Sequence, residues 1–114
     1  MSIAIIDYGM GNLGSVRNAF AWLGIPAQVT ADQESLRDAT AVVFPGQGAW
    51  GDCMRNLQRL GFVDPLKEWI AQDRPFLGIC MGLQLLFETS EESPGMPGLG
   101  VFKGEIRRFV GSDL

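Results

Sequence analysis

The first apolar positions of the chain, Ile3-Ala4-Ile5-Ile6, are continuous rather than alternating and run through Asp7 into Tyr8-Gly9-Met10-Gly11, which predicts a short strand buried on both faces. The period then changes. Leu13, Val16, Phe20 and Leu23 recur at helical spacing, and Gly24 and Pro26 mark the stop. Ala27 to Thr30 is a weaker strand, Asp32 to Asp38 a polar stretch suited to a short helix, and Ala41-Val42-Val43-Phe44 a third strand cut by Pro45-Gly46.

Beyond the loop from Gly46 to Gly51, Met54, Leu57 and Leu60 predict a short helix. Asp64-Pro65 predicts another, with Asp64 as N-cap, Pro65 at the first helical position, and Leu66, Trp69 and Ile70 inward. Arg74 to Ile79 reads as a fourth strand and Met81 to Glu88 as a helix that follows with no spacer. Thr89 to Gly98 is a polar loop rich in Pro and Gly, and Val101-Phe102 with Glu105 to Val110 reads as a hairpin about Lys103-Gly104. Strands alternating with helices imply a doubly wound α/β domain, a mostly parallel sheet with helices on both faces and right-handed crossovers. No internal repeat is present, so residues 1–114 are expected to form part of one domain.

Composition narrows the chemistry. Leu, Ile, Val and Phe make up about 29% of the 114 residues, above the roughly 20% below which chains tend to stay disordered. A net charge of −4, with Arg107-Arg108 as the basic pair, offers no stripe for a phosphate backbone and disfavours nucleic acid. The apolar stretch from Pro75 to Phe87 is interrupted by Gln84 and two glycines and is too short for a membrane span. No signal peptide is readable at the amino terminus, and a cytoplasmic, reducing setting is expected. The chain has no histidine, which removes the commonest general base and the commonest metal ligand. Cys53 and Cys80 form no CxxC and no ligand cluster, so no metal is expected.

Three stretches could carry chemistry. Gly78-Ile79-Cys80-Met81-Gly82 fits the nucleophile elbow G-x-S-x-G with cysteine in the place of serine, and a predicted strand precedes it and a helix follows. Glycines on both sides permit the sharp turn, and a helix N-terminus beneath the thiol favours thiolate. The competing reading is a cysteine buried in an apolar junction. An acyl-transfer nucleophile also needs oxyanion donors: the N–H of Met81 is one candidate, and Pro45-Gly46-Gln47-Gly48 offers the second through Gln47 or Gly48, unless that loop is an ordinary turn.

Gly9-Met10-Gly11-Asn12-Leu13-Gly14 is a G-x-G-x-x-G after a strand, with Asp32 downstream, so a dinucleotide site is the rival. Asp7 weighs against it, since its carboxylate would lie close to a pyrophosphate. Gln84, one helical turn after Cys80, is either a substrate contact or a core glutamine satisfied by backbone. Glu88, Glu91 and Glu92 read as a solvated helix end, and Cys53 as structural.

Taken together, these residues resemble the glutaminase subunits of imidazole glycerol phosphate synthases, a branch of the class I glutamine amidotransferases with a flavodoxin-like sheet. Asp7 to Leu13 resembles the amino-terminal signature of that branch, Pro45 to Trp50 its oxyanion loop, Gly78 to Glu88 its nucleophile segment, and Gly98 to Phe109 the strand pair that follows. Gln47 and Trp50 stand where the family pattern has an aliphatic residue and phenylalanine. The resemblance implies hydrolysis of glutamine to glutamate and ammonia without a cofactor, and delivery of ammonia to a (β/α)8-barrel cyclase with which it pairs as a heterodimer in histidine biosynthesis. It implies Cys80 as nucleophile, Gln47, Gly48 and Met81 as the oxyanion site, Gln84 and Glu92 as glutamine contacts, and Asn12 near the partner interface. The family's catalytic histidine and glutamate lie in a later segment, so these 114 residues are expected to be an amino-terminal portion, inactive alone and prone to aggregate. A non-catalytic module, binding a nucleotide or docking the cyclase, is the alternative.

Overall fold

The computed structural model describes residues 2–111. Its centre is a sheet of four parallel strands in the order β2-β1-β3-β4, where β1 is Ile3–Ile6, β2 Ala27–Thr30, β3 Ala41–Phe44 and β4 Phe76–Gly78. The β-branched and aromatic runs supply these strands because such side chains pack well on a pleated surface. β1 and β3 are central and buried, while β2 and β4 form the half-exposed edges.

Alternation sorts the side chains onto two faces. Ala4, Ile6, Val42 and Phe44 point toward the larger cluster, which α2 (Trp50–Arg59) and α3 (Val63–Ala71) cover with Trp50, Met54, Leu57, Leu66 and Trp69. Ile3, Ile5 and Val43 point the other way, toward Leu13, Val16 and Phe20 of α1 (Leu13–Trp22). Helices therefore lie on both faces, as the alternation of elements predicts. Between β2 and β3, Gln33–Asp38 forms a 3₁₀ turn capped by Asp32, whose carboxylate accepts from the Glu34 N–H at 2.9 Å.

Four features differ from the sequence reading. The third helix begins at Val63 with Phe62 as N-cap, so Asp64 and Pro65 lie inside its first turn, where proline's missing N–H is still without consequence. The helix predicted over Met81 to Glu88 is a single turn, α4 (Met81–Gln84). Its end tightens into i→i−3 bonds, Leu86 N–H to the Leu83 carbonyl at 3.2 Å and Phe87 N–H to the Gln84 carbonyl at 3.1 Å, and the carbonyls of Leu85, Leu86, Phe87 and Glu88 then accept from the backbone N–H groups of Leu99, Val101 and Phe102, Gly100, and Gly98 respectively. That approach requires Gly98, where a Cβ would stand 2.2 Å from the Phe87 carbonyl oxygen and 2.7 Å from the Trp50 ring.

The same hydrogen bonds undo the expected hairpin. Val101-Phe102 is spent on the Leu86 carbonyl and forms no strand. The pairing that does form is parallel, between β5 (Thr89–Ser90) and β6 (Glu105–Ile106). Finally, Glu88, Glu91 and Glu92 are not merely a solvated end: their carboxylates accept from the backbone N–H groups of Gly104, Arg108 and Trp50.

Candidate active site

In an open parallel sheet, ligands bind outside the carboxyl ends of the strands where the winding reverses. Here that point lies between β1 and β3, and the loops after β1, β3 and β4 all gather at it. The three stretches singled out in the sequence are these three loops.

Cys80 sits in the turn from β4 to α4 with φ +55° and ψ −120°, a backbone state that L residues other than glycine rarely adopt, and its side chain is exposed. Neighbouring contacts hold it there. A Cβ on Gly78 would lie 2.9 Å from the Gly82 carbonyl oxygen, and one on Gly82 only 1.8 Å from the Phe44 carbonyl oxygen. Both elbow glycines are therefore demanded by backbone packing, a requirement that a merely buried cysteine would not impose. The helix behind the thiol is one turn rather than two, so the helix dipole expected to act on it is correspondingly short.

The loop after β3 packs directly on the elbow. Gly46 is buried so tightly that a Cβ would meet the Tyr8 hydroxyl at 2.4 Å and the Met81 Cβ at 2.9 Å. The Met81 N–H donates to the Gly46 carbonyl at 3.3 Å, so a carbonyl oxygen occupies the position in front of that donor. Gln47 and Gly48 are exposed at the crest of the loop.

Beneath the loop lies a polar pair that sequence reasoning missed. The buried Tyr8 hydroxyl donates to the Pro45 carbonyl at 2.8 Å, and the neighbouring Cys53 thiol, also buried, donates to the Gln47 carbonyl at 3.9 Å. Burial pushes the Tyr8 phenol well above its ordinary range, with the neighbouring Cys53 adding to the shift. Burial likewise pushes the Cys53 thiol up, against the opposing effect of the neighbouring Tyr8 hydroxyl. Both groups are neutral at physiological pH. The pattern does single out Tyr8, which sits between Asp7 and Gly9, but a partner 37 residues away leaves no periodic signal.

A cleft of about 580 Å³ opens beside α4, lined by Gln84, Ser90, Glu91, Glu92, Arg107 and Arg108 among others. Cys80 is not among its lining residues; Gln84, whose N–H donates to the Cys80 carbonyl at 3.2 Å, connects the two. Glu92 also does structural work here, because its carboxylate accepts from the Trp50 N–H at 2.6 Å and so caps α2, where Ala49 has no side chain able to do so.

The turn after β1 lies against the same loop. A Cβ on Gly11 would stand 3.5 Å from Gly46, and one on Gly48 2.6 Å from the Met10 methyl group. Asn12 caps α1 by accepting from the Ser15 N–H at 3.2 Å. A dinucleotide reading is not favoured by these contacts: Asp32 is engaged in capping the 3₁₀ turn, and a Cβ on Gly14 would meet nothing closer than 3.9 Å, so close helix–sheet packing does not require that glycine. Among the described residues no group of three or more acidic or cysteine side chains could hold a metal, and no helix is long and apolar enough to cross a membrane.

The elbow, its glycines and the loop packed on it define a class. Residues 4–107 match the family model for class-I glutamine amidotransferases, and the chain belongs to that family. Within it, the chain is 54% identical to the imidazole glycerol phosphate synthase subunit HisH of Geobacter metallireducens, over 95% of this chain and 51% of that protein. It is 52% identical to the subunit of the same name from Pseudomonas putida, over 99% of this chain and 53% of that one. The chain thus spans about half the length of these relatives. A solved structure described as a glutamine amidotransferase superposes with a TM-score of 0.75 at 22% identity, covering 93% of this chain and 56% of the other, and agrees in fold.

Proposed function

We propose that these residues form the nucleophile half of a glutaminase site, in a glutaminase subunit of imidazole glycerol phosphate synthase serving histidine biosynthesis in the cytoplasm. The observation that carries this reading is Cys80, exposed at φ +55° between two glycines that backbone packing requires.

In this reading the Cys80 thiolate attacks the side-chain amide carbon of glutamine, the oxyanion draws on backbone N–H groups, ammonia leaves, and water releases glutamate from the thioester. Gln84 and Glu92 contact glutamine from the adjoining cleft, Glu92 with the carboxylate oxygen not given to Trp50. The Met81 N–H becomes available to an oxyanion once the Gly46–Gln47 peptide turns over, which withdraws the Gly46 carbonyl and brings the Gln47 N–H toward the same place. Ammonia passes to a (β/α)8-barrel cyclase, docked as a heterodimer partner near the exposed Asn12.

The 114 residues include no histidine, so on their own they have no imidazole to accept the thiol proton or return one to the leaving ammonia. Accordingly, the purified 114-residue chain is expected to release no measurable glutamate. Adding the carboxyl-terminal half of a relative together with the cyclase should give ammonia release that Cys80→Ala abolishes. Glutamate production by the 114 residues alone, lost in Cys80→Ala, would overturn the half-site reading, as would full activity of Cys80→Ala in the completed assembly.

A further inference from the structure

We infer that Tyr8 and Cys53 are positioning residues that pin the two ends of the oxyanion loop while leaving its middle peptide free to turn. This rests on the proposed reading of Pro45 to Gly48 as that loop. The loop has three successive peptide groups. The first carries the Pro45 carbonyl, held from the interior by the Tyr8 hydroxyl at 2.8 Å; the third carries the Gln47 carbonyl, held by the Cys53 thiol at 3.9 Å.

Between them lies the Gly46–Gln47 peptide, whose carbonyl rests on the Met81 N–H. Rotation of that middle peptide changes ψ of Gly46 and φ of Gln47 and leaves the outer two carbonyls where they are. Glycine at 46 makes the rotation accessible, and Tyr8 already fills the space a Cβ would need. Tyr8 and Cys53 are neighbours under the loop, each bonded to one of its outer carbonyls, and both are fully shielded from water. Their neutrality at working pH means that the loop rests on hydrogen-bond geometry rather than on a charge.

Two labelling rates on Cys80 separate positioning from folding. Iodoacetamide reads the exposure and ionisation of the thiol and makes no demand on oxyanion donors. The diazoketone 6-diazo-5-oxo-L-norleucine places a ketone oxygen where the amide oxygen of glutamine would lie; the thiol proton passes to the diazo carbon, dinitrogen leaves and the S–C bond forms. Tyr8→Phe should lower diazoketone labelling about tenfold with iodoacetamide labelling unchanged, because misplaced oxyanion donors affect only the first reagent. Cys53→Ala should lower it about threefold, and Cys53→Ser, which keeps a donor, should restore it.

Equal labelling ratios in wild type and Tyr8→Phe, or a parallel fall with both reagents, overturn the inference. So do equal ratios in Cys53→Ala and Cys53→Ser, and this pair decides the matter if Tyr8→Phe fails to fold by near-ultraviolet circular dichroism. The D-enantiomer of the diazoketone tests the underlying reading separately. Wild type that labels equally with both enantiomers has no glutamine site, and the anchors then have no oxyanion loop to position; a stereoselective wild type with an unresponsive Tyr8→Phe removes the anchors alone.

Discussion

The two faces of the sheet are built differently. The face of Ala4, Ile6, Val42 and Phe44 is sealed by two helices and by Trp50, Phe62 and Trp69, with Trp50, Phe44 and Phe62 fully buried. The opposite face buries Ile3, Ile5 and Val43 beneath a single helix, α1, none of whose residues is itself buried. Ile79 of the elbow packs on the second face, but the groups that constrain the elbow and its loop belong to the first: Phe44 sets the limit at Gly82, Trp50 receives the Glu92 cap and the Gly98 approach, and Tyr8 and Cys53 support the loop. A strained backbone persists only where its surroundings over-determine it, and the denser face supplies those surroundings.

Mutations on the two faces should therefore differ sharply in cost. Trp50→Ala should destabilise by about 3 to 5 kcal/mol, since it empties a fully buried site and orphans the Met96 carbonyl that its Nε1 now meets at 2.8 Å. Phe20→Ala, on the half-buried stripe of α1, should cost about 1 to 2 kcal/mol. Urea unfolding measures both, and equal midpoint shifts would break the contrast between the faces.

Alkali tests the denser face by another route. Tyr8 and Cys53 have folded-state pKa values raised above the unfolded ones, so both stay protonated in the native fold while the unfolded chain loses their protons. Their contribution is complete below the unfolded pKa values and is lost as pH rises from about 9 upward. Stability measured between pH 7 and 11 should fall over that window, and Tyr8→Phe should flatten the fall; an unchanged slope would show that neither group is linked to folding. Smallest of all, Trp22→Ser at the 87% exposed end of α1 should shift stability by less than about 0.5 kcal/mol.

Legibility in the sequence followed the range of the interactions. β1, β3, the α1 stripe and the Cys80 elbow are encoded within a few residues, by continuous apolar runs, helical spacing and paired glycines, and they appear where those signals put them. Apart from the two-residue shift at the start of α3, the misplaced features depend on distant groups. Val101-Phe102 followed by Lys103-Gly104 carries a sound hairpin signal, but the Leu86 carbonyl claims both N–H groups before any antiparallel partner can. The cap of α2 comes from Glu92, 42 residues beyond Trp50, and the support of the Pro45 carbonyl comes from Tyr8, 37 residues before it. No local pattern could announce either one. The elbow at Cys80 is legible because it is local, whereas the floor beneath the loop is not.

The left-handed backbone at Cys80 also sets stability against chemistry. A non-glycine residue held in such a conformation costs on the order of 1–3 kcal/mol, and glycine adopts it without that strain. Cys80→Gly should therefore raise the thermal midpoint, less whatever glycine adds to the freedom of the unfolded chain. A selection for thermal robustness alone would thus be drawn toward discarding the thiol, and a more heat-resistant variant recovered from such a selection should be sequenced at position 80 before it is taken as an improvement.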